Sequence, residues 1–255
     1  MRISEFEDFI EVSLDPQILK SSPPHVSAVL FSGGLDSAVL LAEEAVRHDV
    51  QSIYVSAGLA WEQAERDMIV RLMASAGFGD RVRPLVSLTV EMRDVYASTH
   101  WAVQGRPPAY RTPDEDVYLP GRNIVLLGKA GVYCAGAGIG RLVLGTLAHN
   151  PFPDATAEFR STMARALSLG LAHPLEIEAP YAGVSKADVI RRGAALGVPF
   201  ELTLSCMNPV VSAPGVARSP LHCGACSKCR ERHDAFLEAG ATDPTLYADR
   251  DHVGI

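Results

Sequence analysis

The chain has 255 residues and a formal net charge of −7, from 23 basic and 30 acidic side chains. That balance lacks the basic excess of a protein that grips nucleic acid through its phosphates, so no stable nucleic-acid partner is expected and a small-molecule substrate is. No apolar run approaches the roughly 18 residues of a membrane span, and the acidic start (Glu5, Glu7, Asp8, Glu11, Asp15) has the wrong chemistry for a targeting peptide, which together predict a cytoplasmic protein with no membrane partner.

Residues 1–25 read as an N-terminal extension, or a short helix over Ile3–Phe9, ending at Pro23-Pro24. From Val26 the pattern changes. Val26–Phe31 is a short apolar strand, followed by a glycine turn and a helix over Ser37–Arg47. Strands are predicted at Val50–Val55 and Val82–Val86, with a helix over Trp61–Ala76 between them. The stretch Ala97–Gly121 holds Pro107, Pro108, Pro113 and Pro120 and reads as a long surface loop or lid. A buried helix over Ile124–Ala137 and a strand at Arg141–Gly145 follow. A helix over Ala157–Leu169, a strand at Leu175–Ile177 and a helix over Lys186–Leu196 complete the series. Strands alternating with helices of this length predict an α/β fold with a doubly wound, mostly parallel sheet over residues 26–202. From Thr203 onward periodicity gives way to Pro, Ser and Cys. Residues 203–255 therefore read as a small metal-stapled subdomain closed by a helix over Arg230–Ala239.

The turn after the first strand is Phe31-Ser32-Gly33-Gly34-Leu35-Asp36-Ser37. Between a strand and a helix, such a turn aims backbone N–H groups and a helix N-terminus at an anion. Two glycines let the backbone approach phosphate closely, and the Ser32 and Ser37 hydroxyls can donate to its oxygens. Asp36 would repel phosphate, so its use is through Mg²⁺. The plainer alternative is a tight turn with Asp36 as helix cap. Neither Gly121–Lys129, with the wrong P-loop spacing, nor Gly136–Gly140, which follows a helix, competes as a nucleotide motif.

Cys206, Cys223, Cys226 and Cys229 lie within 24 residues, three of them spaced C-x-x-C-x-x-C. Four thiolates complete a closed tetrahedral Zn²⁺ site with no open position for chemistry. A redox dithiol or an iron–sulfur cluster is the alternative. His222 and His233 flank the cluster and could replace a ligand, but four cysteines suffice. Cys134, in an apolar helix, reads as a buried core residue.

The string Ser32-Gly33-Gly34-Leu35-Asp36-Ser37 resembles the PP-loop of N-type ATP pyrophosphatases, which release pyrophosphate and leave AMP on the substrate. Further segments narrow the likeness: Leu119-Pro120-Gly121-Arg122-Asn123, Leu144-Gly145, Pro153-Asp154 with Glu158-Phe159, Ser185-Lys186, Ser205-Cys206 and Cys223–Arg230, then Arg232, Phe236 and Asp243-Pro244. From about Val26 to Tyr247 the chain resembles the 7-cyano-7-deazaguanine synthase family. It departs at Tyr54–Glu62, where the family has a Tyr-Gly-Gln-Arg-His-like stretch. It departs again at Phe152-Pro153-Asp154-Ala155-Thr156, where a Tyr-Pro-Asp-Cys-Arg-like loop is usual, and its N-terminal extension is longer. It is a divergent member on this reading.

The resemblance implies an adenine nucleotide alpha hydrolase-like fold, with ATP held by Phe31–Ser37. It implies catalytic roles for Asp36, Ser37, Arg122 and Lys186, and substrate contacts from Asn123 and Asp154. Lys186 would neutralise the α-phosphate; the alternative is a solvated first-turn lysine, a cation poorly placed for its helix dipole. Arg122 and Asn123 start a buried helix, where an unpaired arginine is costly, and make either a phosphate or substrate contact or a structural ion pair. Asp154 either reads a purine-like edge or caps the helix beginning near Thr156. Trp61 covers the nucleotide or, the favoured reading, packs on the sheet. The implied reaction takes 7-carboxy-7-deazaguanine and ammonia to 7-cyano-7-deazaguanine through an adenylated carboxylate and an amide, with ATP, Mg²⁺ and Zn²⁺. No glutaminase region is evident, so free ammonium is the expected donor, and a homodimer the expected assembly. The competing reading is a relative that activates a similar 7-deazapurine-like carboxylate for another amine, including one on a protein. A tRNA-modifying enzyme is disfavoured by the charge, and a regulatory module would bind ATP without turnover.

Overall fold

The computed structural model describes residues 26–75, 78–211 and 219–252. Five parallel strands form one sheet in the order β3-β2-β1-β4-β5. They are β1 Val26–Leu30, β2 Asp49–Ser56, β3 Val82–Thr89, β4 Arg141–Val143 and β5 Glu176–Glu178. Strand order reverses between β1 and β4, and ligands of open parallel sheets bind at the carboxyl ends of strands at such a point.

The central strands are apolar on both faces because helices cover both. Alternate residues point to opposite layers. Val29, Tyr54 and Val143 join one cluster with α1 (Leu35–Arg47), α6 (Lys186–Ala195) and α7 (Ser227–Ala239). Ala28, Ile53 and Leu142 join the other with α4 (Arg122–Gly136) and its neighbour α5 (Ala157–Leu171). The α2 helix (Glu62–Met73) adds Ile69 and Leu72 to the first cluster. β3 is an edge, which tolerates Pro84. The β2–β3 register shifts between Gln51 and Ile53, and the Gln51 side chain donates to the Pro84 carbonyl at 2.8 Å.

The expected elements are present, with shifted ends. α1 begins at Leu35 and α7 at Ser227, where Cys226 is the N-cap. The predicted helix over Ile3–Phe9 lies outside the described residues. The proline-rich stretch 97–121 departs most from expectation, because it is packed rather than a free lid. It carries the short helix α3 (Trp101–Gln104) and a 3-10 turn at Asp114–Val117. Ala102, Val117 and Leu119 are buried with Met92, Tyr96 and Met207, and Trp101 stacks on Trp61 with ring centroids 5.8 Å apart. Aromatic and apolar side chains spaced among the prolines drive this docking. Polar bonds to α7 complete it: Ser227 N donates to Pro108 O at 3.2 Å, and Arg230 donates to Thr112 O and Asp114.

α1 and α6 approach closely over Gly193, where an added Cβ would stand 2.5 Å from Val39 Cγ2 and 2.7 Å from Phe200 Cζ. Gly193→Ala gains helix propensity but overpacks this crossing, and urea unfolding should show a net loss of about 1–2 kcal/mol. An unchanged or raised midpoint would mean that the crossing has slack.

Candidate active site and metal centre

The loop after β1 turns on Gly33, at φ +72°. Ser37 Oγ donates to the Gly34 carbonyl at 3.0 Å and lies 3.4 Å from Ser32 Oγ. The N-cap of α1 is Gly34, which supplies no side-chain acceptor, so the first-turn N–H groups face the cleft without one. That is the anion-binding arrangement expected from the sequence, and Asp36 is a first-turn residue rather than the cap.

Lys186, the first residue of α6, donates to Asp36 Oδ2 at 2.9 Å and to Glu231 Oε1 at 2.8 Å. Burial alone would lower its pKa; the two carboxylates outweigh that and raise it. Burial would raise the pKa of Glu231, but Lys186 and Lys228 hold it well below the ordinary carboxylate range. The other Asp36 oxygen, Oδ1, is buried and has no hydrogen-bond partner among the described residues. An orphaned anionic acceptor beside an uncapped helix N-terminus suits a hard cation carried by phosphates. Phe31 and Leu35 also line the cleft.

The cleft, about 410 Å³, runs from this loop to the start of α4. Arg122 lines it, and its buried Nε has no partner among the described residues. The structural ion pair weighed for Arg122 is not formed among the described residues. Asn123 and Asp154 are brought together: Asn123 N donates to Asp154 Oδ2 and Asn123 Nδ2 to Asp154 O, both at 3.0 Å. Asp154 therefore caps α4, not the helix beginning near Thr156, whose own hydroxyl caps α5 by accepting from Phe159 N. The contact spans 31 residues, so no local pattern announces it. Tyr118 and Phe152 stack at 5.0 Å on the same wall.

Sequence reasoning passed over Lys228, Glu231 and Glu65. Lys228 and Glu231 follow the cysteine ligands at i,i+3 spacing and turn into the cleft. Glu65 falls on the apolar stripe of α2 with Met68, Ile69 and Leu72, a visible signal of a buried carboxylate. It accepts from Tyr54 OH at 2.9 Å and Trp61 Nε1 at 3.0 Å. Burial pushes its pKa up to about 7, against the pull of Arg122 and the Tyr54 bond. Trp61 is buried against Trp101 and bonded to Glu65, in accord with the packing reading.

The four C-terminal cysteines converge, with all Sγ atoms within 4.8 Å of one another. Cys206–Cys226, Cys223–Cys229 and Cys226–Cys229 stand at 4.0, 3.8 and 3.5 Å. A tetrahedral zinc with Zn–S near 2.3 Å sets S···S edges at about 3.8 Å, so the donor set fits zinc. Backbone N–H groups of Asn208 and Cys223 point at Cys206 Sγ, from 3.3 and 3.2 Å. Gly224 makes the knuckle: at φ +80°, an added Cβ would meet Asp249 O at 1.9 Å. His222 accepts from Ser205 N and His233 lies beside Asp243, so neither replaces a ligand. Cys134 is buried in the α4 layer, as expected.

The family model described as queuosine biosynthesis protein QueC matches residues 26–240, from β1 through all four cysteines. A 7-cyano-7-deazaguanine synthase of Caldicellulosiruptor bescii is 30% identical over 236 residues, covering 87% of this chain and 96% of its own. One from Anaeromyxobacter dehalogenans is 32% identical over 236 residues, 87% of this chain and 95% of its own. One from Methanopyrus kandleri is 33% identical over 244 residues, 88% of this chain and 99% of its own.

Two measurements test the site's physics. Purified protein should hold about one zinc per chain, and Cys226→Ala should lower both metal content and Tm; metal-free protein of unchanged Tm would contradict the cage. For Glu65, a raised folded-state pKa means stability is greatest below the ordinary carboxylate range and is lost as pH rises to about 7. Glu65→Gln should remove roughly 3 kcal/mol of that decline between pH 5 and 8. Parallel stability–pH curves for the two proteins would refute it.

Proposed function

The chain belongs to the queuosine biosynthesis protein QueC family, and we propose that it converts 7-carboxy-7-deazaguanine and ammonia to 7-cyano-7-deazaguanine with ATP. The observation that carries this reading is Asp36 Oδ1, a buried acceptor without a partner at the mouth of the uncapped α1 N-terminus. Left unfilled, such an atom costs about 1–3 kcal/mol. Magnesium accompanying ATP fits it, and when bound supplies charge neutralisation to the departing pyrophosphate.

The substrate carboxylate attacks the α-phosphorus and pyrophosphate leaves. Ser32, Ser37 and the first-turn N–H groups hold the leaving oxygens, and Lys186 offsets charge at the α-phosphate. Ammonia then attacks the carbonyl carbon and AMP departs, leaving an amide. A second adenylation, now of the amide oxygen, lets AMP leave with loss of the nitrogen protons and gives the nitrile. Arg122, with a free buried Nε, suits the substrate carboxylate, and the Tyr118–Phe152 wall suits a planar ring. The cysteine cage takes zinc as a structural ion, with no open position for chemistry.

One observation favours a second reading, in which a related carboxylate is joined to another amine, including one on a protein. Asp154 Oδ2 is committed to the α4 N-terminus and Asn123 Nδ2 to the Asp154 carbonyl, so part of the polar edge of each is already engaged.

Incubated with the acid, ATP, Mg²⁺ and ammonium, the protein should yield AMP and pyrophosphate, and mass spectrometry should find the nitrile after a transient amide. Asp36→Asn and Ser37→Ala should each lower pyrophosphate release by roughly 10²-fold or more, with the fold retained by circular dichroism. Adenylation without nitrile moves the assignment to the second reading. Full turnover in both variants removes catalysis from this loop.

A further inference from the structure

Lys186 is held between two carboxylates on different parts of the chain. Asp36 belongs to α1 and Glu231 to α7, and Lys186 Nζ is 2.9 and 2.8 Å from them. Glu231 is shared in turn, because its second oxygen accepts from Lys228 Nζ. The four side chains alternate in sign as Asp36, Lys186, Glu231 and Lys228, and all four line the cleft. The α7 residues sit among the first-turn cysteines, so the cage that fixes Cys226 and Cys229 also fixes where Lys228 and Glu231 point.

Consider what a cation at Asp36 must displace. The Lys186 side chain is only 12% exposed, so water cannot readily replace a carboxylate it gives up. With Glu231 present, Lys186 can leave Asp36 and stay paired. With Glu231 neutral, Asp36 is its only carboxylate, and the two close on each other in competition with the metal.

We propose that Glu231 is a positioning residue for the nucleotide step: by sharing Lys186 with Asp36, it keeps Asp36 open to the magnesium ion that arrives with ATP. The proposal rests on the nucleotide reading above but not on which carboxylate is activated. It also gives the cysteine cage a part in ATP binding, through the helix turn it anchors.

The test is calorimetric titration of ATP into the full zinc-loaded chain over a series of free Mg²⁺ concentrations. In Glu231→Gln, the Mg²⁺ concentration that half-restores ATP affinity should rise about tenfold, the scale of one charge-assisted hydrogen bond. At saturating Mg²⁺ the affinity should approach that of the wild type, and zinc content should be unchanged. Lys228→Met, which leaves Glu231 to Lys186 alone, should shift the midpoint to lower Mg²⁺. An unmoved midpoint in Glu231→Gln overturns the proposal. So does an equal loss of ATP affinity at every Mg²⁺ concentration, which is the mark of a merely structural residue. If Glu231→Gln loses zinc or fails to fold, Lys228→Met decides alone, and an upward shift there overturns the proposal. Wild-type protein that binds no ATP at any Mg²⁺ concentration removes the nucleotide reading itself, and the proposal with it.

Discussion

Gly33 is the residue around which the loop after β1 closes. An added Cβ would stand 2.5 Å from Ile69 Cγ1 on α2, and the backbone is already in the left-handed region. Its carbonyl accepts from Leu204 N at 2.9 Å, so the turn is pressed by α2 on one side and tied to the C-terminal segment on the other. Phe31 N, two residues earlier, is fixed by the Ile53 carbonyl of β2. Where α1 begins, and therefore where its free N–H groups point, follows from these backbone contacts. The anion cradle is a consequence of how the chain closes, and side chains adjust it afterwards.

Leu204 is itself held in place by a buried charge. Arg232 is wholly buried, and burial lowers its pKa. Its guanidinium donates to Thr245, Thr203, Ser205 and the Phe200 carbonyl, and lies over the Phe236 ring. A guanidinium removed from water is tolerated only when its donors are so occupied. Three of the four acceptors lie within Phe200–Ser205, the stretch that carries Leu204 and runs directly into Cys206. The cysteine cluster, the buried arginine and the glycine turn after β1 are thus consecutive links of one short path.

Periodicity and turn chemistry were enough to read the sheet, the helices and the glycine turn after β1, because each is written in residues close in sequence. The cysteine cage was legible for another reason: thiolate spacing is a chemical signature even where its 17-residue gap carries no pattern. The capping of α4 by Asp154 was among neither of its two sequence readings, since Asp154 stands two residues before Thr156 in sequence but meets Asn123 in space. The docking of residues 97–121 was hidden by its prolines, which break local periodicity while Trp101, Val117 and Leu119 still find apolar partners. Glu231 was missed because a charge on a helix next to metal ligands reads as solvated until α6 is packed against it. Glu65 was there to be found, a carboxylate on an apolar stripe.

The two ends of the cleft are built differently, and that bears on how the reaction could be redirected. At the end beside the loop after β1, the lining consists of backbone groups and ionic side chains held by α1, α6 and α7, so a change there disturbs several elements together. At the α4 end, the wall consists of Arg122 at the start of α4 and side chains on the connecting stretches 114–121 and 144–154, among them Tyr118, Phe152 and Asp154. Those stretches contribute little to the sheet itself, and loops accept substitution more readily than packed helices. Asp154 is the exception, because capping α4 ties it to the fold. The ionic cluster beside the loop after β1 is therefore fixed by the scaffold, whereas the α4 end of the cleft is a wall that can vary around one capping aspartate.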